Sequence, residues 1–442
     1  TRQIGGADMK DSWLRRLPVG IQSFKEIREE NYLYVDKSDI VWNMVNLGDK
    51  YNYLSRPRRF GKSVLVDTLE SYLEGRKDLF EGLKIMQLEK DWKQYPVIRL
   101  DMSLAGSTAQ AIQSYLSDAF SAYEAIYGIT PLSTATLTVR FKNIVTTAFK
   151  KTGNKVAVLI DEYDSPLQHS WMTAEHTDCT DVYRNVFAVL KACDQFEKFV
   201  FITGITKFTQ ISLFSVLNNL SNISFMPEYA AICGITEEEI GENFMPELKQ
   251  MSEANGWSVQ ETHDRLKAYY DGYHFSRRNM VDVYNPYSLV NALKSKEIIN
   301  FWASSGATSL LPKFVDNIEL RLGNYEKCSV MRNTLEMSDV TGGGAELFLY
   351  QSGYLTIRES DEFGYILGFP NEEVKQALYE TVLPTLAMRS ENEILSLQAC
   401  LYRELGTGQI DEAMKSLKAL IADVPYSNKK LASMDMEERY RL

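Results

Sequence analysis

The amino-acid sequence predicts an α/β protein, with a parallel sheet and flanking helices in its first half and mainly helical regions in its second half. In the first half, short apolar runs alternate with longer amphipathic stretches, as strands and helices do when they pack in layers. The connections between the apolar runs are long enough for helical crossovers between parallel strands. After Ile235, glutamate-rich and aromatic helical stretches replace this alternation, so we place a domain boundary there.

The individual elements of the first half follow in order. The apolar runs predict parallel strands at 51–55, 97–101, 156–160, 199–203 and 229–233. A helix-like run at 64–72 follows the first strand, and 109–127 and 181–196 carry apolar residues at three- and four-residue spacing, as helices packed on a sheet do. Thr236 and the three glutamates after it predict the capped start of a helix that runs to Leu248.

The second half predicts one hairpin among helices. Residues 354–359 and 364–369 flank a turn and predict a β-hairpin, and helical segments lie on both sides, an order that resembles a winged-helix module. The glycines at 342–344 predict a flexible linker, since neither a lysine nor a strand accompanies them. From Glu372 onward the pattern is helical. We therefore expect a sheet domain at 9–235, a helical and winged-helix-like domain at 236–375 and a helical C-terminal segment at 376–442.

Composition narrows the class of protein. The chain has 442 residues, of which 45% are hydrophobic and 24% charged, enough for two or three globular domains. It contains no apolar stretch of membrane-spanning length, and its first residues show no charged segment followed by an apolar core and a cleavage site, so we expect a protein that is not exported. Five scattered cysteines without C-x-x-C spacing argue against a disulfide framework or a zinc site and favour the reducing cytoplasm. A net charge of −11 gives no general attraction to nucleic acid.

A loop between a strand and a helix carries the first chemical motif. The sequence Arg-Pro-Arg-Arg-Phe-Gly-Lys-Ser occupies 56–63, between the first predicted strand and a helix. In a phosphate-binding loop, backbone N–H groups cradle the phosphates, the lysine reaches the β and γ oxygens and the hydroxyl binds Mg²⁺. Gly61, Lys62 and Ser63 supply the second half of that motif. Arg56 stands where its first glycine is usually found.

Two carboxylates form the second motif. The buried strand predicted at 156–160 is followed by Asp161 and Glu162. At the carboxyl end of a parallel strand, the first carboxylate would hold Mg²⁺ and the second would polarise the attacking water. The alternative is a solvated turn between strand and loop, which the upstream Gly61-Lys62-Ser63 disfavours.

Several sequence blocks span nearly the whole chain from Leu17 to about Val374 and lie at 17–24, 34–38, 55–63, 159–164, 201–208, 269–275, 284–289 and 370–374. Together these blocks resemble the bacterial "predicted AAA-ATPase" family. The Arg-Pro-Arg-Arg-Phe-Gly-Lys-Ser loop belongs to the family's own pattern, so Arg56 no longer counts against phosphate binding. The resemblance implies a P-loop NTPase sheet of the AAA or STAND type, followed by a helical and winged-helix-like region.

The resemblance also implies a nuclease-like domain of the PD-(D/E)XK type, which commonly follows in this family. That fold needs an aspartate and a Glu-x-Lys on adjacent strands, and the sequence after Val374 offers no strand-borne version. Residues 411–415 contain the right residue types but lie in a helical pattern, which favours a solvated helix face. We expect the C-terminal segment to be the start of such a domain without its catalytic part.

These patterns select the candidate site residues. The cofactors expected are ATP and Mg²⁺. The nucleotide would contact Arg58, Arg59, Phe60, Gly61, Lys62, Ser63 and Val64; the metal ligands would be Ser63 and Asp161; the catalytic residues would be Glu162, Lys62 and Thr203. Thr203 is predicted as a sensor of the γ-phosphate, with a strand-end turn cap as its alternative.

The other polar residues near these motifs remain open between two roles. Arg56, Arg58 and Arg59 either flank the phosphates or form a solvated or partner-facing patch. Lys207 is a second cation candidate, with a surface role as its alternative. Asp36 and Lys37 precede the first strand, where a local salt bridge or helix cap is favoured over a contact with the base.

The leading functional hypothesis is an ATP hydrolase that acts as a conformational switch and turns over slowly, because no arginine finger is evident. The alternative is an ATP-gated regulator that binds or processes DNA and lacks its nuclease part. Within 354–369, however, a single arginine faces three acidic residues, which disfavours contact with phosphate. A nucleotide-binding scaffold without hydrolysis is a third hypothesis. A protein partner or self-association could supply the missing cation, and no membrane partner is expected.

Overall fold

A computed structural model provides the structure. It describes residues 15–130, 134–171, 173–206, 219–278, 281–303, 311, 325–337, 344–387 and 391–422. The predicted residues Lys207, Gly342 and Gly343 lie outside these ranges.

A five-stranded parallel sheet forms the first domain. Its strands are β1 (Tyr51–Ser55), β2 (Val97–Asp101), β3 (Val156–Asp161), β4 (Glu197–Gly204) and β5 (Ser221–Asn222), in the order β2-β3-β4-β1-β5. Ser55 pairs with Gly204 and Asp101 with Asp161, so the carboxyl ends meet at one edge. The α/β fold class predicted from the sequence is confirmed.

The strand predicted at 229–233 is wrong. A 3-10 turn at Pro227–Tyr229 precedes it, and the chain then runs irregularly to Gly234, which has a left-handed φ of 100°. Ile232 and Cys233 are buried, but as part of a cavity wall and not of a hydrogen-bonded ladder. The apolar run correctly indicates buried residues, but burial alone does not distinguish a strand from a packed turn.

Eight helices of the described first half flank the sheet or precede it. They are α1 (Phe24–Glu29), α2 (Ser38–Asn46), α3 (Lys62–Leu73), α4 (Ile85–Leu88), α5 (Ala109–Ile126), α6 (Leu137–Thr152), α7 (Ser165–Ser170) and α8 (His176–Ala192). The helix predicted at 109–127 is confirmed. The one predicted at 181–196 starts five residues earlier, at His176, and ends at Ala192, where a 3-10 turn at Asp194–Phe196 leads into β4.

A helical cluster follows. It contains α9 (Glu237–Asn243), α10 (Met245–Asn255), α11 (Val259–Tyr270) and α12 (Pro286–Ser295), with a two-stranded sheet of β6 (Ile235–Thr236) and β7 (Val283–Tyr284). Thr236 forms the predicted cap, as a capping box with Glu239. The prediction of one helix to Leu248 is wrong, because the chain breaks at Phe244 and restarts with a proline in the first turn of α10.

The last described region holds a three-stranded antiparallel sheet and a helical end. Its elements are β8 (Cys328–Met331), α13 (Arg332–Met337), α14 (Gly344–Ser352), β9 (Thr356–Ser360), β10 (Gly364–Gly368), α15 (Glu372–Ala387), α16 (Glu391–Gly406) and α17 (Ile410–Ala422), with the sheet order β8-β10-β9. The predicted hairpin is confirmed. Residues 411–415 lie in α17, where Lys415 pairs with Glu412 at 2.7 Å on an exposed face.

The apolar core of the parallel sheet continues into this last region. The rings of Trp171 and Phe348 stack with centroids 6.5 Å apart, and those of Phe225 and Tyr350 at 6.0 Å. Every residue of α14 from Leu347 to Ser352 is buried. The C-terminal region is therefore packed against the sheet domain and not tethered to it by a linker alone.

Candidate nucleotide-binding site

The loop at 56–63 joins the carboxyl end of β1 to the first turn of α3. Gly61 has a left-handed φ of 85°, which a side chain would strain, and α3 begins at the next residue. The first N–H groups of a helix have no partner within the helix, and they point back toward such a loop. The local sequence therefore places a helix N-terminus, a feature that suits an anion, directly after the end of the strand.

Lys62 and Glu162 face each other across this site. The Lys62 ammonium is 3.4 Å from a Glu162 carboxylate oxygen and donates to the carbonyls of Arg56 and Pro57, each at 3.2 Å. Glu162 has a left-handed φ of 47°, a strained conformation for a residue other than glycine. The strained turn after β3 holds the carboxylate over the loop.

Asp161 ends β3 beside Ser63 and is almost completely buried. Burial raises the pKa of the Asp161 carboxyl to about 6, with a further contribution from Glu162, while Ser63 and Lys62 oppose the shift. A serine hydroxyl and a carboxylate are the oxygen donors that Mg²⁺ takes from a protein when it also binds phosphates. Within the described ranges, no group of three or more His, Cys, Asp and Glu side chains is placed to bind a metal alone. Ser63 and Asp161 thus fit a metal that the nucleotide helps to bind.

Thr203 has a different position from the other predicted catalytic residues. Its hydroxyl donates to the carbonyl of Leu54 at 2.8 Å, between β4 and β1, and its side chain is fully buried. Thr203 is not among the residues that line the cavity described below. The structure therefore brings Lys62, Ser63, Asp161 and Glu162 together and leaves Thr203 inside the sheet.

Asp164 organises the strand ends, a role that sequence reasoning missed. Its carboxylate accepts from the N–H groups of Ile205 (3.1 Å) and Thr206 (2.5 Å), the Thr206 hydroxyl (2.6 Å) and the Gln168 amide (2.5 Å). The Gln168 carbonyl oxygen accepts from Arg58 at 3.4 Å. This network connects the phosphate loop to the ends of β3 and β4. Asp164 lies within the quoted block 159–164, which was the available signal.

The arginines of the loop separate into different roles. Arg56 is only 1% exposed, and its guanidinium donates to the carbonyls of Ser224 and Tyr229 at 3.0 and 2.9 Å. It therefore neither flanks the cavity nor forms a surface patch, and both roles predicted for it from the sequence are wrong. Arg58 and Arg59 line the cavity, and the Arg59 guanidinium lies 5.0 Å from the centre of the Tyr287 ring.

A cavity of about 680 Å³ extends from the loop toward the helical cluster. At one end it is lined by Lys62, Ser63, Asp101 and Glu162, and at the other by apolar residues that include Val41, Ile232, Ile235, Phe244, Pro286 and Val290. The ring of Phe60 packs on Tyr273 at 4.7 Å, while the residue also borders the cavity together with Gly61 and Val64. The sequence did not predict that residues 286–291 form part of the wall, although 284–289 is one of the blocks that carry the family resemblance.

The segment before β1 contributes to the wall of the cavity. Lys37 borders it, but its ammonium pairs with Glu239 at 2.6 Å, and burial lowers the pKa of Lys37. An Asp36 carboxylate oxygen accepts from the Ser38 N–H at 2.9 Å at the start of α2. Asp36 thus makes a local contact at the start of α2, as predicted, but the ion pair of Lys37 joins a residue 202 positions away and is not the local salt bridge that the sequence predicted.

Two comparisons with known proteins give matches. The family model "Predicted AAA-ATPase" matches residues 18–214. A protein of Azotobacter chroococcum mcd 1, described as an uncharacterized protein in the vnfD 5' region, is 32% identical over 399 residues, which cover 87% of this chain and 74% of that protein.

The chain belongs to the predicted AAA-ATPase family. Membership of this ATPase family and the parallel sheet with its loop at 56–63 identify an α/β P-loop NTPase fold and support nucleotide binding. Among the described helices of this AAA-ATPase-like protein, none is long and apolar enough to cross a membrane.

Solved structures give weaker likenesses. The Aeropyrum pernix ORC2 protein, in ADPNP–ADP complexes, matches 82% of this chain and 98% of its own, with a TM-score of 0.34 and 12% identity. The Aeropyrum pernix ORC1 protein in complex with DNA matches 77% of this chain and 89% of its own, with a TM-score of 0.27 and 11% identity. At this level of similarity, neither carries an inference about partners or mechanism.

Proposed function

We propose that this AAA-ATPase-like protein binds Mg²⁺-ATP and hydrolyses it slowly, as a conformational switch. The observation that supports the proposal most strongly is the meeting of two distant motifs. Lys62, at the start of α3, lies 3.4 Å from Glu162, which directly follows β3, beside the half-buried Ser63 and the buried Asp161. Such a grouping of cation, hydroxyl and two carboxylates at the carboxyl ends of parallel strands suits a nucleoside triphosphate with its metal.

Under this proposal, each polar side chain beside the loop has a role. Lys62 would leave the Arg56 and Pro57 carbonyls and neutralise the β and γ phosphates, while the N–H groups at the start of α3 hold phosphate oxygens. Ser63 and Asp161 would hold Mg²⁺, which supplies charge neutralisation when bound. Glu162 would accept a proton from the attacking water, once Lys62 turns from it to the phosphates.

The opposite end of the cavity suits the base. A volume of about 680 Å³ is ample for a nucleotide, and ligand pockets are generally lined by apolar groups with a few polar ones. Ile232, Phe244 and Val290 offer apolar contact to a planar ring. The polar groups at this end give no clear discrimination between adenine and guanine, so the assignment of ATP rests on the family.

Slow turnover follows from the arginines. Arg56 is committed to carbonyls behind the loop, and Arg59 lies over the ring of Tyr287. A transition-state cation contributes about 10³- to 10⁵-fold in comparable enzymes. We propose that rearrangement of Arg58 or Arg59, a protein partner or a second copy supplies it, and that wild-type protein alone turns over slowly.

An ATP-gated DNA regulator is the second candidate. The order of β8, α13, α14, β9 and β10, with the sheet order β8-β10-β9, supports a winged-helix-like assignment of this region. Two features disfavour DNA contact. The helix in the recognition position, α14, is buried against the sheet domain, and the hairpin turn carries Asp361 and Glu362 beside an exposed Phe363.

Phosphate release separates these candidates. We expect Mg²⁺-dependent release from ATP by the wild type, loss of release in Glu162→Gln with retained binding, and no change on adding duplex DNA. Stimulation by DNA would promote the regulator. Tight binding without release by the wild type would leave a nucleotide-binding scaffold.

A further inference from the structure

The C-terminal region touches the phosphate loop directly behind the cavity. Gly353 follows α14 with a left-handed φ of 91°, and a Cβ atom there would lie 2.6 Å from the Cβ of Pro57. Real Cβ atoms do not approach so closely, so the loop would have to move to admit a single methyl group. Neither Gly353 nor Pro57 lines the nucleotide cavity.

Arg56 connects the same loop to the second half of the chain. Its guanidinium lies 4.2 Å from the centre of the Phe275 ring and is removed from water. A desolvated guanidinium over an aromatic face is attracted more strongly than an exposed one. The carbonyl of Arg56 accepts from Lys62 at 3.2 Å. One residue therefore contacts the second half through its side chain and the phosphate-binding lysine through its backbone.

A third contact completes the connection. The ring of Phe60 lies edge-on to Tyr273 at 4.7 Å and to Phe275 at 5.3 Å. The Tyr273 hydroxyl donates to the carbonyl of Gly353 at 3.0 Å. The two rings and the glycine thus form a single buried surface against which the loop is set.

We propose that the region 344–354 positions the phosphate loop through Gly353, together with the rings of Tyr273 and Phe275 on which the loop packs, and that nucleotide binding in turn changes how firmly this region is docked. This inference rests on the proposed function. Arg56 and Phe275 are positioning residues, since they act on the nucleotide through the loop. Docking of this region and nucleotide binding then favour each other by the same factor, because a coupling free energy is reciprocal.

The arginine at 56 acquires a physical explanation in this account. A glycine at that position would allow the loop to approach the phosphates closely, but it would provide no contact with Phe275. Arginine instead fixes the N-terminal half of the loop to the carbonyls of Ser224 and Tyr229 and to the C-terminal half of the chain. The closing half, with Gly61, keeps the local geometry that phosphate binding requires.

A pair of glycine substitutions tests the proposal. Gly353→Ala introduces a methyl group against Pro57 at a left-handed φ of 91°, whereas Gly256→Ala is also at a left-handed φ, of 70°, with nothing within 4 Å of the added atom. With Mg²⁺-ATP as titrant in calorimetry, we expect Gly353→Ala to weaken binding about tenfold, within the usual range of coupling between sites. Gly256→Ala should bind as the wild type does, although both variants melt at lower temperature.

Two further readouts keep the test decisive if Gly353→Ala does not fold. Phe275→Leu removes the aromatic face beneath Arg56 and should weaken Mg²⁺-ATP binding, while Phe275→Tyr retains the face and should restore it. In the wild type, Mg²⁺-ATP should slow amide hydrogen exchange across 345–354 by more than the general slowing that any ligand of the folded state causes.

The outcomes separate the two levels of the argument. Wild-type binding that Gly353→Ala and Phe275→Leu retain within twofold, or exchange at 345–354 that ignores the nucleotide, overturns the coupling and leaves the proposed function standing. No binding of Mg²⁺-ATP by the wild type overturns the proposed function and the coupling with it.

Discussion

A substitution of Thr203 tests whether this residue is a sensor of the γ-phosphate or a structural residue of the sheet. We assign it a structural role, because its hydroxyl donates to the Leu54 carbonyl at 2.8 Å inside the sheet and does not reach the cavity. Thr203→Val keeps the branched shape and removes that hydrogen bond. A buried hydrogen bond of this kind contributes about 1 kcal/mol net to stability. A loss of that size lowers the melting temperature by about 2–4 °C in a domain of this size.

The assay compares phosphate release, Mg²⁺-ATP affinity and melting temperature in the wild type, Thr203→Val and Glu162→Gln. We expect Thr203→Val to keep kcat within about twofold, while Glu162→Gln loses about 10²-fold or more, as removal of a general base does. The reasoning is refuted if Thr203→Val lowers kcat by about 10²- to 10³-fold at unchanged affinity, the loss typical of a missing transition-state donor.

Three further predictions concern buried carboxylates. Asp164→Asn replaces an acceptor oxygen with an amide group where four donor groups converge. Thermal unfolding should therefore show a free energy of unfolding lower by about 1–3 kcal/mol, and phosphate release should slow. An unchanged free energy of unfolding would contradict the role of this hydrogen-bond network. Burial raises the pKa of Glu373 from 4.5 to about 7, so the neutral acid favours folding below about pH 4.5 and that contribution is lost as pH rises through 7. Glu373→Gln should therefore match the wild type at pH 4.5 and exceed its unfolding free energy by up to about 3 kcal/mol at pH 8, and parallel pH profiles of the two proteins would refute this. Arg140→Met removes the guanidinium that pairs with buried Glu124 at 2.7 Å and should lower the free energy of unfolding in urea by about 3–5 kcal/mol. The double variant with Glu124→Leu should recover part of this free energy. If the losses of the two single variants simply add, the ion pair is not their cause.

The sequence predicts best what local chemistry decides. The loop around Gly61 needs a left-handed residue before a helix, and an apolar strand ending in Asp161 needs only its own pattern to be recognised. Both signals are continuous in sequence, so they survive without knowledge of the fold. Their meeting also follows from topology, because the carboxyl ends of parallel strands share one edge of the sheet.

Features that depend on distant contacts were not predictable in the same way. The burial of Arg56 depends on Phe275, more than two hundred residues away along the chain, and its sequence context suggests a cation near phosphate. The apolar wall at Ile232 resembles a strand until the cavity it lines is known. Thr203 stands at a strand end where a sensor would be expected, and only the Leu54 carbonyl shows that its hydroxyl is already used.

The most direct test of the central claim is calorimetric titration of Mg²⁺-ATP into the wild type, Lys62→Ala and, as a control, Lys77→Ala. Lys77 is an exposed lysine on the 3-10 turn beyond the other end of α3. We expect saturable binding by the wild type and Lys77→Ala, and affinity about 10- to 100-fold weaker in Lys62→Ala, since a charged hydrogen bond contributes about 1.5–3 kcal/mol. Equal affinity in all three proteins, or no binding by the wild type, would contradict a phosphate site at the start of α3.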